Sequence, residues 1–349
     1  MSLQIRRVKL KNVEMSFRLL SRKSSKAVVL VHGNLSSSAI WEDIMSSVQE
    51  DFDVVAPDLR GFGDSGRAPV DATRGLRDFS DDLLELLSRL GYKGYVMVGH
   101  SMGGGVVLQA LLDAPSSVRI EKVVLVDPVS PYGYGGTKDE FGTPCYSDYA
   151  GSGAGLVLRY NPDFVNLLKA KYTGVDHPSA PVNAVKSLFA DDFVINEKLQ
   201  KKLLDMLFSV EVGVDNYPGD YVESPNWPYV APGTRGVLNA MSPKYMNLYP
   251  VVKASLKPPV LWIHGSKDVI VSDMSLLDLA VLGAMGFIPG YPGQEVFPPQ
   301  PMVRQIEVFL REYESRGGTI KKVLIDGAGH TPFIEKPDRF IKELQSFIY

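Results

Sequence analysis

The sequence predicts an α/β fold: a mostly parallel eight-stranded sheet flanked by helices, carrying a mostly helical insertion. Three observations carry this. Short β-branched apolar runs are too short for helices, helix-periodic stretches lie between them, and the same alternation returns late in the chain after a stretch of different composition. Strands alternating with helices imply a parallel sheet covered on both faces.

The chain opens with two amphipathic pieces, Gln4 to Leu10 and Val13 to Leu20, expected as an antiparallel edge hairpin. Ala27 to Val31, Asp53 to Ala56, Tyr95 to Val98 and Lys122 to Val126 follow as buried strands, flanked by Gly, Pro or Asp. Between them, Leu76, Phe79, Leu83, Leu86 and Leu87 recur at helical spacing over Leu76 to Leu90. Late in the chain, Pro259 to His264 and Lys322 to Ile325 read as strands and Arg339 to Tyr349 as a closing helix. The intervening part differs. Residues 131–155 hold seven glycines and four tyrosines, which is loop composition with apolar contact area in it. Asn161-Pro162-Asp163 is a helix start, with a capping side chain and proline at the first helical position. Ile195, Leu199, Leu203, Met206, Leu207 and Val210 form one apolar stripe, best read as core packing. The expected organisation is a core of residues 1–130 and 251–349, interrupted by a cap at 131–250.

At 349 residues, the prior is about two domains. Basic and acidic side chains number 37 and 40, so nothing points to nucleic acid or an anionic membrane, both of which need clustered positive charge. The single cysteine, Cys145, excludes an internal disulfide and a multi-cysteine metal site. The charged, alternating N-terminus is unlike a secretory signal, and no run reaches the ~18 apolar residues that span a bilayer. The sequon Asn34-Leu35-Ser36 therefore carries little weight, and a cytoplasmic protein is expected. Self-association as a homo-oligomer stays open.

The sharpest motif is Gly99-His100-Ser101-Met102-Gly103, directly after one apolar strand and directly before a helix-like stretch from Gly104 to Leu112. A serine there sits on a strained strand-to-helix turn, where glycines two before and two after avoid collisions with neighbouring backbone. The chain here resembles the α/β-hydrolase fold serine hydrolases, esterase-like and with a cap domain. Further matches are His32-Gly33-Asn34 after the strand ending at Val31, Asp58 to Gly66 after the next strand, Gly265 to Asp268, and Gly329-His330. The resemblance covers roughly residues 5–130 and 255–349, and implies Ser101 as nucleophile.

A serine hydroxyl needs an adjacent base. Of five histidines, His32 and His264 fall at strand ends before glycine and read as packing or loop hydrogen bonds. His100 should point away from the serine, and His177 reads as a solvated loop residue. His330, in a glycine-flanked loop after the last strand, stands where the family places its base. Asp268 gives the chain order Ser, Asp, His expected of the fold. Asp127 is a competing acid, because some family members take it from that strand end, and Asp273 is a weaker one. The backbone amides of Asn34 and Met102 would form the oxyanion hole.

Gly61 to Gly66 satisfies G-x-G-x-x-G but opens no helix, because Arg67-Ala68-Pro69-Val70 intervenes, so no dinucleotide is expected. Neither a P-loop nor H-E-x-x-H is present, and no cofactor or metal is expected. The start His32-Gly-Asn34-Leu-Ser-Ser also resembles haloalkane dehalogenases, whose nucleophile, like that of epoxide hydrolases, is an aspartate. A serine at that position would form an ether that water does not readily cleave, so Ser101 points to attack on a carbonyl. The expected partner is a small to medium carboxylic ester, with an aromatic bias from Tyr132, Tyr134, Tyr146, Tyr149, Tyr217, Tyr221, Trp227 and Tyr229. Alternatives are an aminopeptidase of the proline iminopeptidase type, with Glu211 or Glu223 binding the substrate amine, a C–C bond hydrolase, and a non-catalytic receptor that keeps the triad. One departure from the family pattern is the 62-residue separation of Asp268 and His330. It contains the nearly uncharged Leu277 to Ile288 and a proline-rich stretch, Pro289 to Pro301.

Overall fold

The computed structural model describes residues 2–48 and 51–349. The β-branched runs become β1 (Gln4–Lys9), β2 (Glu14–Leu20), β3 (Lys26–Val31), β4 (Asp53–Pro57), β5 (Gly94–His100), β6 (Ile120–Val126), β7 (Val260–Gly265) and β8 (Ile320–Ile325). They form one sheet in the order β1-β2-β4-β3-β5-β6-β7-β8. The first two strands are the expected edge hairpin, antiparallel to each other; β2 also pairs antiparallel with β4, and all other neighbours run parallel. Ala27 through Val31 are 0% exposed, as a strand covered on both faces requires. The outer strands β1, whose side chains are largely exposed, and β8, which alternates exposed Lys322 and Leu324 with buried Val323 and Ile325, are the edges of the sheet.

Five longer helices matter below: α1 (Arg77–Leu90), α2 (Met102–Asp113), α3 (Glu197–Phe208), α4 (Met302–Ser315) and α5 (Pro337–Ile348). In α1 the predicted stripe is buried, and Gly91 ends the helix in the left-handed region at φ 68°. Its polar Asp82 is buried as well, paired in bidentate fashion with Arg60 at 2.7 and 2.8 Å. The Asn161 side chain caps the helix Pro162–Lys169 by accepting from the Phe164 amide, as its sequence predicts. The stripe at 195–210 becomes α3, whose Leu203, Met206 and Leu207 join the main core.

Between β6 and β7 the chain adds helices and two short ribbons, Val212–Gly213 with Tyr217–Pro218 and Tyr221–Glu223 with Val230–Pro232, which the sequence reading did not resolve. Helix α4 is a second element not anticipated. It supplies the crossover from β7 to β8 and buries Met302, Ile306, Phe309, Leu310 and Tyr313. The apolar Leu277 to Ile288 is split. Leu279, Ala280 and Ile288 build a small second core with Trp227 and Phe297, while Leu277, Met285 and Phe287 are exposed. Among the described residues, no helix is long and apolar enough to cross a membrane.

Candidate active site

Because β3, β5, β6, β7 and β8 are parallel neighbours, their C-terminal ends lie side by side, about 4.8 Å from strand to strand. Gly33-Asn34, Ser101, Asp127, Asp268 and His330 all follow these ends, so the sheet gathers residues that are far apart in sequence. Ser101 lies between β5 and α2 at φ 54°, ψ −123°, a conformation costing about 1–3 kcal/mol for a residue with a Cβ. Its amide donates to the Val126 carbonyl at 3.0 Å and its carbonyl accepts from Val129 at 3.1 Å, which holds the strained turn. The flanking glycines are required sterically. A Cβ on Gly99 would stand 2.4 Å from the Gly103 carbonyl oxygen, and one on Gly103 would stand 2.5 Å from both the Val31 and the His32 carbonyl oxygens.

The loop after β3 presses on the same turn: a Cβ on Gly33 would meet the Ser101 Cβ at 2.8 Å. His32 ties this loop down, donating from Nδ1 to the Gly33 carbonyl at 2.7 Å and accepting at Nε2 from the Leu59 amide at 3.0 Å. Met102 begins α2, where the helix dipole favours negative charge. Among the described residues, neither the Asn34 amide nor the Met102 amide has a hydrogen-bond acceptor.

His330 is buried, and its Nδ1–H donates to Asp268 Oδ2 at 2.8 Å. Asp268 Oδ1 accepts in turn from the amides of Ile270 at 2.7 Å and Val271 at 3.1 Å. Burial alone would raise the Asp268 pKa, but His330, His264 and the Ile270 amide together hold it below the ordinary carboxylate value. The competing acid, Asp127, takes a different part. Its Oδ1 accepts from the Gly265 amide at 2.8 Å and lies 3.1 Å from His264 Nδ1. Burial first, and then the neighbouring Asp268 charge, push the Asp127 carboxyl well above its usual range, which favours its neutral form. Thus the two strand-end acids sit together, and the one bonded to His330 is Asp268. Asp273 is elsewhere engaged, capping α4 by accepting from the amides of Val303 at 2.8 Å and Arg304 at 3.2 Å.

His100 donates from Nε2 to the His330 carbonyl at 2.8 Å and packs its ring 4.7 Å from the His330 ring. Burial, then the proximity of His330, push its pKa down to about 3. An unfolded histidine titrates near 6.5, so below that pH the unfolded chain binds a proton that the folded chain refuses. Stability from this group is complete above pH 6.5 and is lost progressively as pH falls toward 3. From pH 7 to 5 the loss amounts to about 2 kcal/mol. Urea midpoints at the two pH values should therefore drop on acidification, and His100→Asn should drop less.

Other residues singled out by sequence fall outside this cluster. His177 is partly exposed, with Nε2 3.8 Å from Asp163. Glu211 and Glu223 are surface carboxylates matched by Arg67 and Arg159, respectively. Cys145 is half-buried, its thiol pushed up to about 12 by burial, which favours the neutral thiol over the thiolate. Gly61 to Gly66 forms a turn closed by the Gly61 amide on the Gly66 carbonyl at 3.0 Å and opens no helix. Among the aromatics, Tyr217 belongs to the main core, Trp227 to the second core, and Tyr132 stacks on Tyr249. Tyr134 bonds to Ser275, while Tyr221 and Tyr229 are exposed.

The family model for the alpha/beta hydrolase fold matches residues 26–282, more than half of the chain, and the chain belongs to that family. It is 34% identical over 106 residues to a soluble epoxide hydrolase of Corynebacterium, covering 30% of this chain and 36% of that one. It is 32% identical over 108 residues to a fluoroacetate dehalogenase of Burkholderia, again covering 30% of this chain and 36% of the relative. The chain thus spans about a third of the length of the curated relatives it matches. The solved structure of the carboxylesterase CesB (YbfK) from Bacillus subtilis matches with a TM-score of 0.60 at 17% identity, covering 100% of this chain and 92% of that chain, which is likeness of fold.

Proposed function

We propose that this chain is a carboxylic ester hydrolase that works through an acyl-enzyme on Ser101. The observation that carries the reading is the buried His330–Asp268 hydrogen bond, on loops that follow the same sheet ends as the strained Ser101 turn. In the proposed cycle the Ser101 hydroxyl, which makes no hydrogen bond among the described residues, turns onto His330 Nε2 as substrate binds; Oγ then attacks the ester carbonyl carbon while its proton passes to that nitrogen. Nδ1–H remains on Asp268, which fixes the tautomer and stabilises the imidazolium. The amides of Asn34 and Met102 receive the developing oxyanion, each worth ~3 kcal/mol to the transition state. Collapse breaks the acyl–oxygen bond and the alcohol leaves with the proton from His330. Water, deprotonated by the same imidazole, then releases the carboxylic acid and restores Ser101.

A serine rather than a carboxylate at the turn favours acyl chemistry over opening at an sp³ carbon. Residues 131–250 would act as the cap that shapes the pocket. The arginines that match Glu211 and Glu223 leave neither carboxylate unmatched for a substrate amine, which weighs against the aminopeptidase reading. The test is a panel of p-nitrophenyl esters, lactones, aminoacyl arylamides and diketones, run beside mass spectrometry of protein treated with an organophosphate. The reading expects ester turnover and one phosphonyl adduct on Ser101. Labelling without turnover of any ester would leave a ligand receptor instead, and turnover of diketones alone would make it a C–C hydrolase.

A further inference from the structure

The loop that carries His330 is pinned to the segment between β6 and β7, and one side chain makes the join. Glu335, buried in the short helix Pro332–Glu335, accepts from the Gly329 amide through Oε1 at 2.8 Å and from the Ala190 amide through Oε2 at 2.9 Å. Beside it, the His330 amide donates to the Leu188 carbonyl at 2.9 Å, and Thr331 Oγ1 donates to the same oxygen at 3.3 Å. Gly329 lies flat on this segment: a Cβ there would stand 2.7 Å from both the Phe189 carbonyl carbon and the Ala190 nitrogen. On its other side the His330 carbonyl is held by His100. The imidazole therefore has its position set by backbone clamps at residues 329 and 330, and Glu335 spans two elements that have no covalent link nearby.

We infer that Glu335 is a positioning residue whose carboxylate joins the 188–190 segment to the His330 loop and so keeps His330 in register with Asp268. The inference rests on the triad reading above. It also means that the 188–190 segment serves as a fixed wall of the site: lifting it would withdraw both the Glu335 bridge and the Leu188 bond from the histidine loop.

A carboxylate is suited to this because both partners are donors, and it offers an acceptor to each. In Glu335→Gln one amide must face an N–H, so the bridge opens on one side while side-chain volume is kept. Gly329→Ala drives a methyl group into the 189–190 backbone, so it opens the same contact sterically and leaves the Glu335 side chain unchanged. In both variants, kcat on a p-nitrophenyl ester should fall about ten- to hundredfold with KM within twofold, the signature of a misplaced base in a site that still binds. The low-field proton resonance of the His330 Nδ1–H on Asp268 should broaden or vanish, with folding checked by circular dichroism. A kcat within twofold of the parent, or an intact low-field resonance, in either folded variant would overturn the inference and leave Glu335 a merely structural residue. Should the chain turn over no ester, the resonance alone decides, so failure of the hydrolase reading and failure of the clamp remain distinguishable.

Discussion

Ser101→Ala should remove ester turnover while leaving a folded protein. Knocking out the nucleophile of a triad costs on the order of 10⁶ in kcat, with only the residual catalysis of oxyanion donors and binding left. The fold should barely respond. The Ser101 hydroxyl has no hydrogen-bond partner among the described residues, and alanine meets the same backbone strain at φ 54° that serine already carries. The expected result is a kcat at the assay floor, no organophosphate adduct, and a urea midpoint close to that of the parent. Activity persisting above about a thousandth of the parent value would move the nucleophile elsewhere.

The second large effect is expected at Asp268. In Asp268→Asn the side chain presents either an amide N–H or a neutral carbonyl to His330 Nδ1, in place of the charge that orients the ring and stabilises the imidazolium. A loss of ~10⁴ in kcat follows. The contrast with Asp127→Asn makes the experiment decisive. Asp127 already favours its neutral form, and an asparagine carbonyl can take over the hydrogen bond from the Gly265 amide. That variant should keep kcat within about tenfold of the parent. Steady-state kinetics of the pair at pH 7 would assign the acid, and equal losses would mean that both carboxyls share the role.

The eight strands were legible because a strand covered on both faces must be apolar and β-branched, and Ala27 to Val31 or Lys122 to Val126 have no other plausible home. Ser101 was legible because backbone sterics demand Gly99 and Gly103 around it. Helix α4 was not, although Met302, Ile306, Phe309, Leu310 and Tyr313 recur on one face. It follows a run of prolines and has no cap of its own, since its first amides are satisfied by Asp273 from a distant loop. Between the two acids the sequence favoured Asp268 and kept Asp127 as the alternative, because spacing alone does not separate them. Both follow adjacent parallel strands, and only the path of the His330 loop places one of them on the imidazole. Glu335 gave no signal either, because its partners, Gly329 and Ala190, are backbone groups whose meeting depends on how the long segment after β6 folds back.

The two rims of the sheet have a consequence for how the protein behaves in a crowded solution. On β1, Arg6, Arg7 and Lys9 project outward, and on β8, Lys321 pairs with Glu343 of α5 while Lys322 pairs with Glu307 of α4 and lies over Trp262. A foreign strand seeking to extend either rim would have to strip water from several cations and break ion pairs already made with covering helices. That cost keeps a half-satisfied backbone ladder from becoming a template for aggregation.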